Sequence, residues 1–207
     1  MTAPSASPRP TIDVSTLPST TFGGMNLVWW GTLGFVVIEG FTLALCAVVW
    51  IYLAQNMSTW PPYGSALPDV VAPTLLVVVM LLSIPLMLWL RRSARARDLA
   101  RVRLAVTLAT GFSALFVTLR LVELTRSLNV WWDSNAYGSA QWLEVGAHGS
   151  LVAMQFIEVA GIALMFWFGD IEEKHFSDAD DAAFYWLFVV ASWIPLYAMC
   201  FLYPQFA

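Results

Sequence analysis

Five apolar stretches, residues 25–54, 70–90, 104–122, 142–168 and 182–203, constrain this chain more than any other feature, because each is long enough to cross a bilayer. A helix of about 20 residues spans a hydrocarbon core of ~30 Å. In lipid every backbone N–H and C=O has to be satisfied within its own element, so the stretches predict an all-α membrane protein, a five-transmembrane-helix bundle. Composition excludes the soluble alternative: with 59% hydrophobic and 12% charged residues, and a mean hydropathy of +0.69, the chain lacks the polar surface to cover itself in water.

Residues 1–24 hold four prolines and many Ser and Thr, which predicts a disordered cytoplasmic tail ahead of a transmembrane domain over 25–207. The first span then acts as an uncleaved signal anchor. Arg91, Arg92, Arg95, Arg97, Arg101 and Arg103 crowd the link between spans two and three, whereas the link at Trp60-Pro61-Pro62 carries no Lys or Arg. The positive-inside rule puts the arginine link in the cytoplasm, hence a cytoplasmic N-terminus and a periplasmic C-terminus. Trp60, Tyr63, Trp131, Trp132 and Tyr203 then fall near the outer face, where amphipathic rings prefer to sit, and Trp89 near the inner one. Cys46 and Cys200 lie inside spans and read as small apolar residues.

A carboxylate at hydrocarbon depth costs at least ~2.5 kcal/mol, so each one needs a partner or a task. Glu39 sits at the centre of span one, flanked by Gly34 and Gly40; it either joins two helices or handles protons or lipid. Glu123 follows Arg120 by three residues and precedes Arg126 by three, a spacing that suits an internal ion pair. In span four, Glu144, His148, Leu151, Gln155 and Glu158 recur at helical steps and form a stripe that must face protein or water. That stripe suits a helix contact, with metal ligation by Glu144 and His148 the weaker alternative. Between spans four and five lie Asp170, Glu172, Glu173, His175, Asp178, Asp180 and Asp181. Ser177 or Asp178 could cap span five while Asp180 and Asp181 meet its dipole, or the acidic loop could collect protons.

Glu39, Trp60-Pro61-Pro62, Glu123, Tyr137-Gly138-Ser139, Gly146-x-His148-Gly149, His175-Phe176, Phe184-Tyr185-Trp186-x-Phe188-Val189 and Trp193, in this order and on these spans, resemble the cytochrome c oxidase subunit III family of the haem-copper oxidases, in its short five-span bacterial form. The chain departs from that pattern at Leu151, where relatives carry a second histidine, and at Leu187 and Val190, where they carry His and Asp. The resemblance implies a non-catalytic accessory subunit of the bacterial cytoplasmic (inner) membrane. It implies no metal or cofactor on this chain, haem and copper in partner subunits, and bound phospholipids. The implied partners are oxidase subunits I and II and membrane phospholipids, with cytochrome c or quinol met only indirectly and no nucleic acid. Glu39, Glu123 and His148 correspond to the family's lipid- and proton-related positions. The functional expectation is support of proton uptake in a cytochrome c-fed oxidase. A quinol oxidase, an accessory protein of nitric oxide reductase and, from another class, a stand-alone proton-coupled transporter using Glu39, Glu144 and Glu158 remain open.

Overall fold

The computed structural model describes residues 13, 17 and 20–206. Most of the expected disordered tail, residues 1–24, lies outside them. Five helices carry the chain: α1 Leu27–Asn56, α2 Val71–Arg95, α3 Leu99–Val122, α4 Ala136–Phe168 and α5 Glu173–Tyr197. All five are long and apolar enough to span a membrane, and the described residues contain no strand. The chain is a multi-pass helical membrane protein, as its apolar stretches require.

Helices α2, α3, α4 and α5 pack in a ring, each against its neighbours, and α1 lies outside it against α4 and α5. Most of α1 is therefore free to face lipid, and only Leu43 and Trp50 of it are buried. Short polar residues start three of the helices. Asn26 accepts from the Val28 amide, Asp98 from Arg101 and Asn135 from Gly138, each offering an acceptor to an unpaired first-turn donor.

The helices outrun the apolar stretches at one end of the bundle. The arginine link is mostly helical, since α2 continues through Arg95 and α3 begins at Leu99, leaving Ala96, Arg97 and Asp98 as the turn. Arginine propagates helices well and its stem can lie along apolar surface, so charge does not end the element. The acidic segment needs the same correction. It is not a loop capped at Ser177 or Asp178, because α5 begins at Glu173, and the Glu172 amide donates to His175 Nδ1 at 3.0 Å in a capping box.

These two charged segments meet. Asp180 accepts from Arg91 Nε at 2.9 Å and from Arg95 Nε and Nη2, both at 3.1 Å, and Glu173 accepts from Arg97 at 2.8 Å. The ends of α2 and α5 are thus tied at one face, the arginine side. Asp180 pairs across the bundle instead of serving the dipole of its own helix.

At the opposite end, the tryptophan side, the structure alters one expectation. Trp60 is buried, not interfacial: its ring meets Trp50 at 5.0 Å and Tyr137 at 4.9 Å, both edge to face. Tyr63, Trp131, Trp132 and Tyr203 are exposed there as expected. Both α3 and α5 end in π-helical turns, Glu123–Ser127 and Ala198–Leu202.

Candidate functional site

The intramembrane polar residues fall into two separate places. The first is a buried cluster between α3, α4 and α5. Arg120 is 2% exposed, Glu123 1% and His148 0%. Arg120 Nη1 donates to the Glu123 carboxylate, and its Nη2 lies 3.0 Å from His148 Nδ1. A guanidinium has only donors, so Nδ1 must accept. The ring proton then sits on Nε2, which donates to the Val189 carbonyl at 2.9 Å. This neutral tautomer leaves neither ring nitrogen free for a metal. The Arg120 guanidinium carbon also stands 3.7 Å from the centroid of the Trp193 ring, a close cation–π contact.

Local geometry explains how these groups meet. Gly149 lets the Arg120 stem pass: a Cβ there would stand 3.0 Å from Arg120 Cγ. Glu123 begins the π turn, which redirects the chain after it, so that Arg126 is exposed in place of joining the pair.

Along α4 the expected stripe is real up to its last member. Glu144, His148, Leu151 and Gln155 are buried. Gln155 donates to the Ala182 carbonyl at 3.2 Å. One turn before Glu144, Gln141 donates to Tyr137 Oη at 2.9 Å and to the Cys200 carbonyl at 2.8 Å, and accepts from Trp50 Nε1 at 3.2 Å. Glu144 itself has no hydrogen-bond partner at either carboxyl oxygen.

Glu158 leaves the stripe and joins Glu39 in the second place, a groove between α1, α4 and α5. The deep part of the groove has a volume of about 440 Å³ and is lined by Gly31, Phe35, Glu39, Met154, Glu158 and Tyr185. Tyr185 Oη donates to Glu39 Oε2 at 2.5 Å. Glu39 therefore joins α1 to α5, as one of its two expected roles requires, and shares no contact with Glu123 or His148 in that cluster. Sequence reasoning met Tyr185 only inside the Phe184-Tyr185-Trp186 motif and not as a partner of Glu39, although Asp178, Asp181 and Tyr185 recur at steps of three and four and mark one face of α5.

The acidic segment is divided as well. Asp170, Glu172 and Glu173 are exposed, His175 and Asp178 are half-buried, and Asp180 and Asp181 are buried. Lys174 Nζ pairs with Glu172 at 2.8 Å, and this hydrogen-bonded cation holds the Glu172 carboxyl below its usual range.

Known proteins with related sequences belong to one family. A family model described as cytochrome c oxidase subunit III matches residues 16–205. Over 140 residues the chain is 28% identical to cytochrome c oxidase subunit 3 of Petromyzon marinus, covering 67% of this chain and 53% of that protein. Over 182 residues it is 26% identical to cytochrome c oxidase subunit 3 of Marchantia polymorpha, covering 81% of this chain and 65% of that protein. The chain thus spans between about half and two thirds of the length of these curated relatives.

Proposed function

The chain belongs to the cytochrome c oxidase subunit III family, and from that premise we propose that it is an accessory, non-catalytic subunit of a respiratory haem-copper oxidase. In this reading it packs on subunit I, beside subunit II, in the bacterial inner membrane. The arginine side and the N-terminus are cytoplasmic and the C-terminus periplasmic. It holds phospholipids against its helices and supports proton uptake. The complex it serves reduces oxygen to water with electrons from cytochrome c, and haem and copper reside in the partner subunits.

One observation supports the non-catalytic role most strongly. His148, the one histidine within the membrane core, has both ring nitrogens engaged, by Arg120 at 3.0 Å and by the Val189 carbonyl at 2.9 Å. A redox centre in this bundle would need imidazole lone pairs, and this one is occupied by structure. Glu39, Glu123 and His148 are the family's lipid- and proton-related positions in this reading. The acidic segment, with Asp170, Glu172, Glu173, His175 and Asp178 at least partly accessible, faces the side from which protons are drawn.

The test is purification of the tagged chain from its native membrane in mild detergent. A haem-bearing large subunit should co-purify in equal amount, and the complex should consume oxygen with reduced cytochrome c. Consumption with quinol alone would replace the electron donor in this reading, and a haem-free chain that drives solute uptake in vesicles would overturn it.

A further inference from the structure

The groove at Glu39 does not end there. Its deep part continues into a second section of about 360 Å³, lined by Glu158, Gly161, Asp178 and Asp181, and then into a third of about 210 Å³ by Thr21, Asn26, Lys174 and Asp178 at the arginine side. Adjacent sections share a carboxylate, Glu158 between the first two and Asp178 between the last two, and all three share Val28. Neighbouring sections thus share walls from the end of the bundle to its middle.

Counted along each residue's own helix from its arginine-side end, Asp178 lies about 8 Å in, Asp181 about 12 Å, Glu158 about 15 Å and Glu39 about 18 Å. On this count the four carboxyl-bearing residues, from three different helices, step inward by a few ångströms each along the bundle axis. A chance cluster of surface acids would not extend to mid-bilayer, where each carboxylate is costly. Asp181 adds an independent sign: it is 2% exposed, lines the middle section, and its Oδ2 has no hydrogen-bond partner.

The walls keep the space open. Gly31 on α1 and Gly161 on α4 line the groove, and a Cβ added at either would meet nothing within 4 Å. The nearby cations are engaged elsewhere or confined to the mouth. Arg91 and Arg95 of α2 are bound by Asp180, and Lys174 pairs with Glu172; His175 bonds the Glu172 amide. Tyr185 supplies a hydroxyl at the deep end, donated to Glu39. Such a row offers successive proton acceptors, none of them held in an ion pair among the described residues, and waters would bridge the steps.

The geometry points to a one-ended proton path, in which Glu39 exchanges protons with the aqueous phase at the arginine side through Asp178, Asp181 and Glu158. A proton moving inward along the row is taken up from water at Asp178 and leaves each carboxyl as it reaches the next, so nothing is oxidised or reduced. This goes beyond the accessory role and does not depend on which oxidase the chain serves.

The test uses the full chain in lipid nanodiscs and the carboxylic C=O infrared band that disappears in Glu39→Gln. On transfer from H2O to D2O, the rate at which this band shifts reports proton exchange at Glu39. Gly161→Leu should plug the middle section without removing a carboxyl and slow the shift by at least about tenfold. Glu158→Leu should slow it comparably, whereas Gly111→Leu on the exposed face of α3, where a Cβ also meets nothing within 4 Å, should leave it at the wild-type rate. A folded Gly161→Leu protein, with wild-type circular dichroism, that exchanges as fast as wild type overturns the path. So does the absence of any Glu39-dependent band from mildly acidic to alkaline pH, because the path requires Glu39 to take up a proton. Loss of co-purifying lipid in Gly161→Leu with unchanged exchange would likewise overturn it, the groove then being a seat for acyl chains.

Discussion

Replacing Glu123 by leucine should destabilise the bundle more than replacing Glu123 and Arg120 together. Both side chains are almost wholly buried, and Glu123 is the one counter-charge that Arg120 contacts. Removing one partner of a buried pair leaves an uncompensated charge and costs about 3–5 kcal/mol. The remaining contacts hold Arg120 in place without neutralising it: the His148 hydrogen bond at 3.0 Å and the Trp193 ring at 3.7 Å, the latter worth about 2 kcal/mol when desolvated. In the double variant, Arg120→Met with Glu123→Leu, the cation–π contact is lost and His148 Nδ1 loses its donor at about 1–3 kcal/mol, but no bare charge stays behind, and replacing a whole buried pair by apolar groups is often neutral or stabilising by about 1–4 kcal/mol, which offsets these losses. The double variant should therefore be the more stable of the two, with a coupling in the range of about 0.5–3 kcal/mol. Unfolding by rising SDS in mixed micelles, followed by tryptophan fluorescence, measures all four members of the cycle. If the two single losses add to within about 0.5 kcal/mol, the cluster is not a coupled unit and the reasoning fails.

Gly138→Ala should be the most disruptive single methyl in the protein, because its Cβ would stand 2.2 Å from the Trp131 carbonyl oxygen, a backbone atom that cannot swing aside; loss of folded yield against a Gly146→Ala control, where a Cβ meets nothing within 4 Å, checks it. Trp186→Phe removes the 2.7 Å hydrogen bond to Ser83 Oγ while keeping most of the ring, and should cost about 1–3 kcal/mol in the same SDS titration, a loss that Ser83→Ala in the same chain should partly restore. Glu172, whose carboxyl is held low by Lys174, should make the first turn of α5 sensitive to acid. A depressed folded pKa contributes stability that is present above the ordinary carboxylate value and is lost as pH falls through the lowered one. Protection of the Lys174 and His175 amides, taken as the exchange rate relative to the intrinsic rate at each pH, should therefore fall on acidification through that window in wild type and stay flat in Glu172→Gln.

The number and type of elements were legible in the sequence because bilayer thickness fixes a length and lipid forbids open backbone. The helix ends at the arginine side were not, since hydropathy stops at the first charge while the backbone does not: α2 runs five residues past the apolar stretch that ends at position 90. The arginines and the acids were each visible, but Arg95 and Asp180 are 85 residues apart and nothing local announces their pairing. The α4 stripe was read correctly over Glu144, His148 and Gln155, yet Glu158 lies ~40° round the helix from Glu144, enough to turn it toward α1. Glu39 showed its depth in the sequence, whereas its pairing with Tyr185, 146 residues away, did not show there. The π turn that turns Arg126 outward has no sequence signature, so Arg120, Glu123 and Arg126 looked like one triad when only two of them meet.

Of the three positions at which the sequence departs from the pattern it resembles, Leu151 and Val190 are buried in the apolar core and Leu187 is half-buried, so none of them offers a polar partner to the buried cluster. His148 has Arg120 on one nitrogen and, on the other, the backbone carbonyl of Val189. A backbone carbonyl accepts a hydrogen bond without bringing a charge. The cluster therefore retains one cation and one anion, Arg120 and Glu123, with a neutral imidazole between the guanidinium and α5, and the arrangement is electrically closed. Groups that balance one another in this way hold helices together, while the groove at Glu39 and Glu158, rich in carboxyls and poor in cations, is the part of the bundle left free to exchange protons.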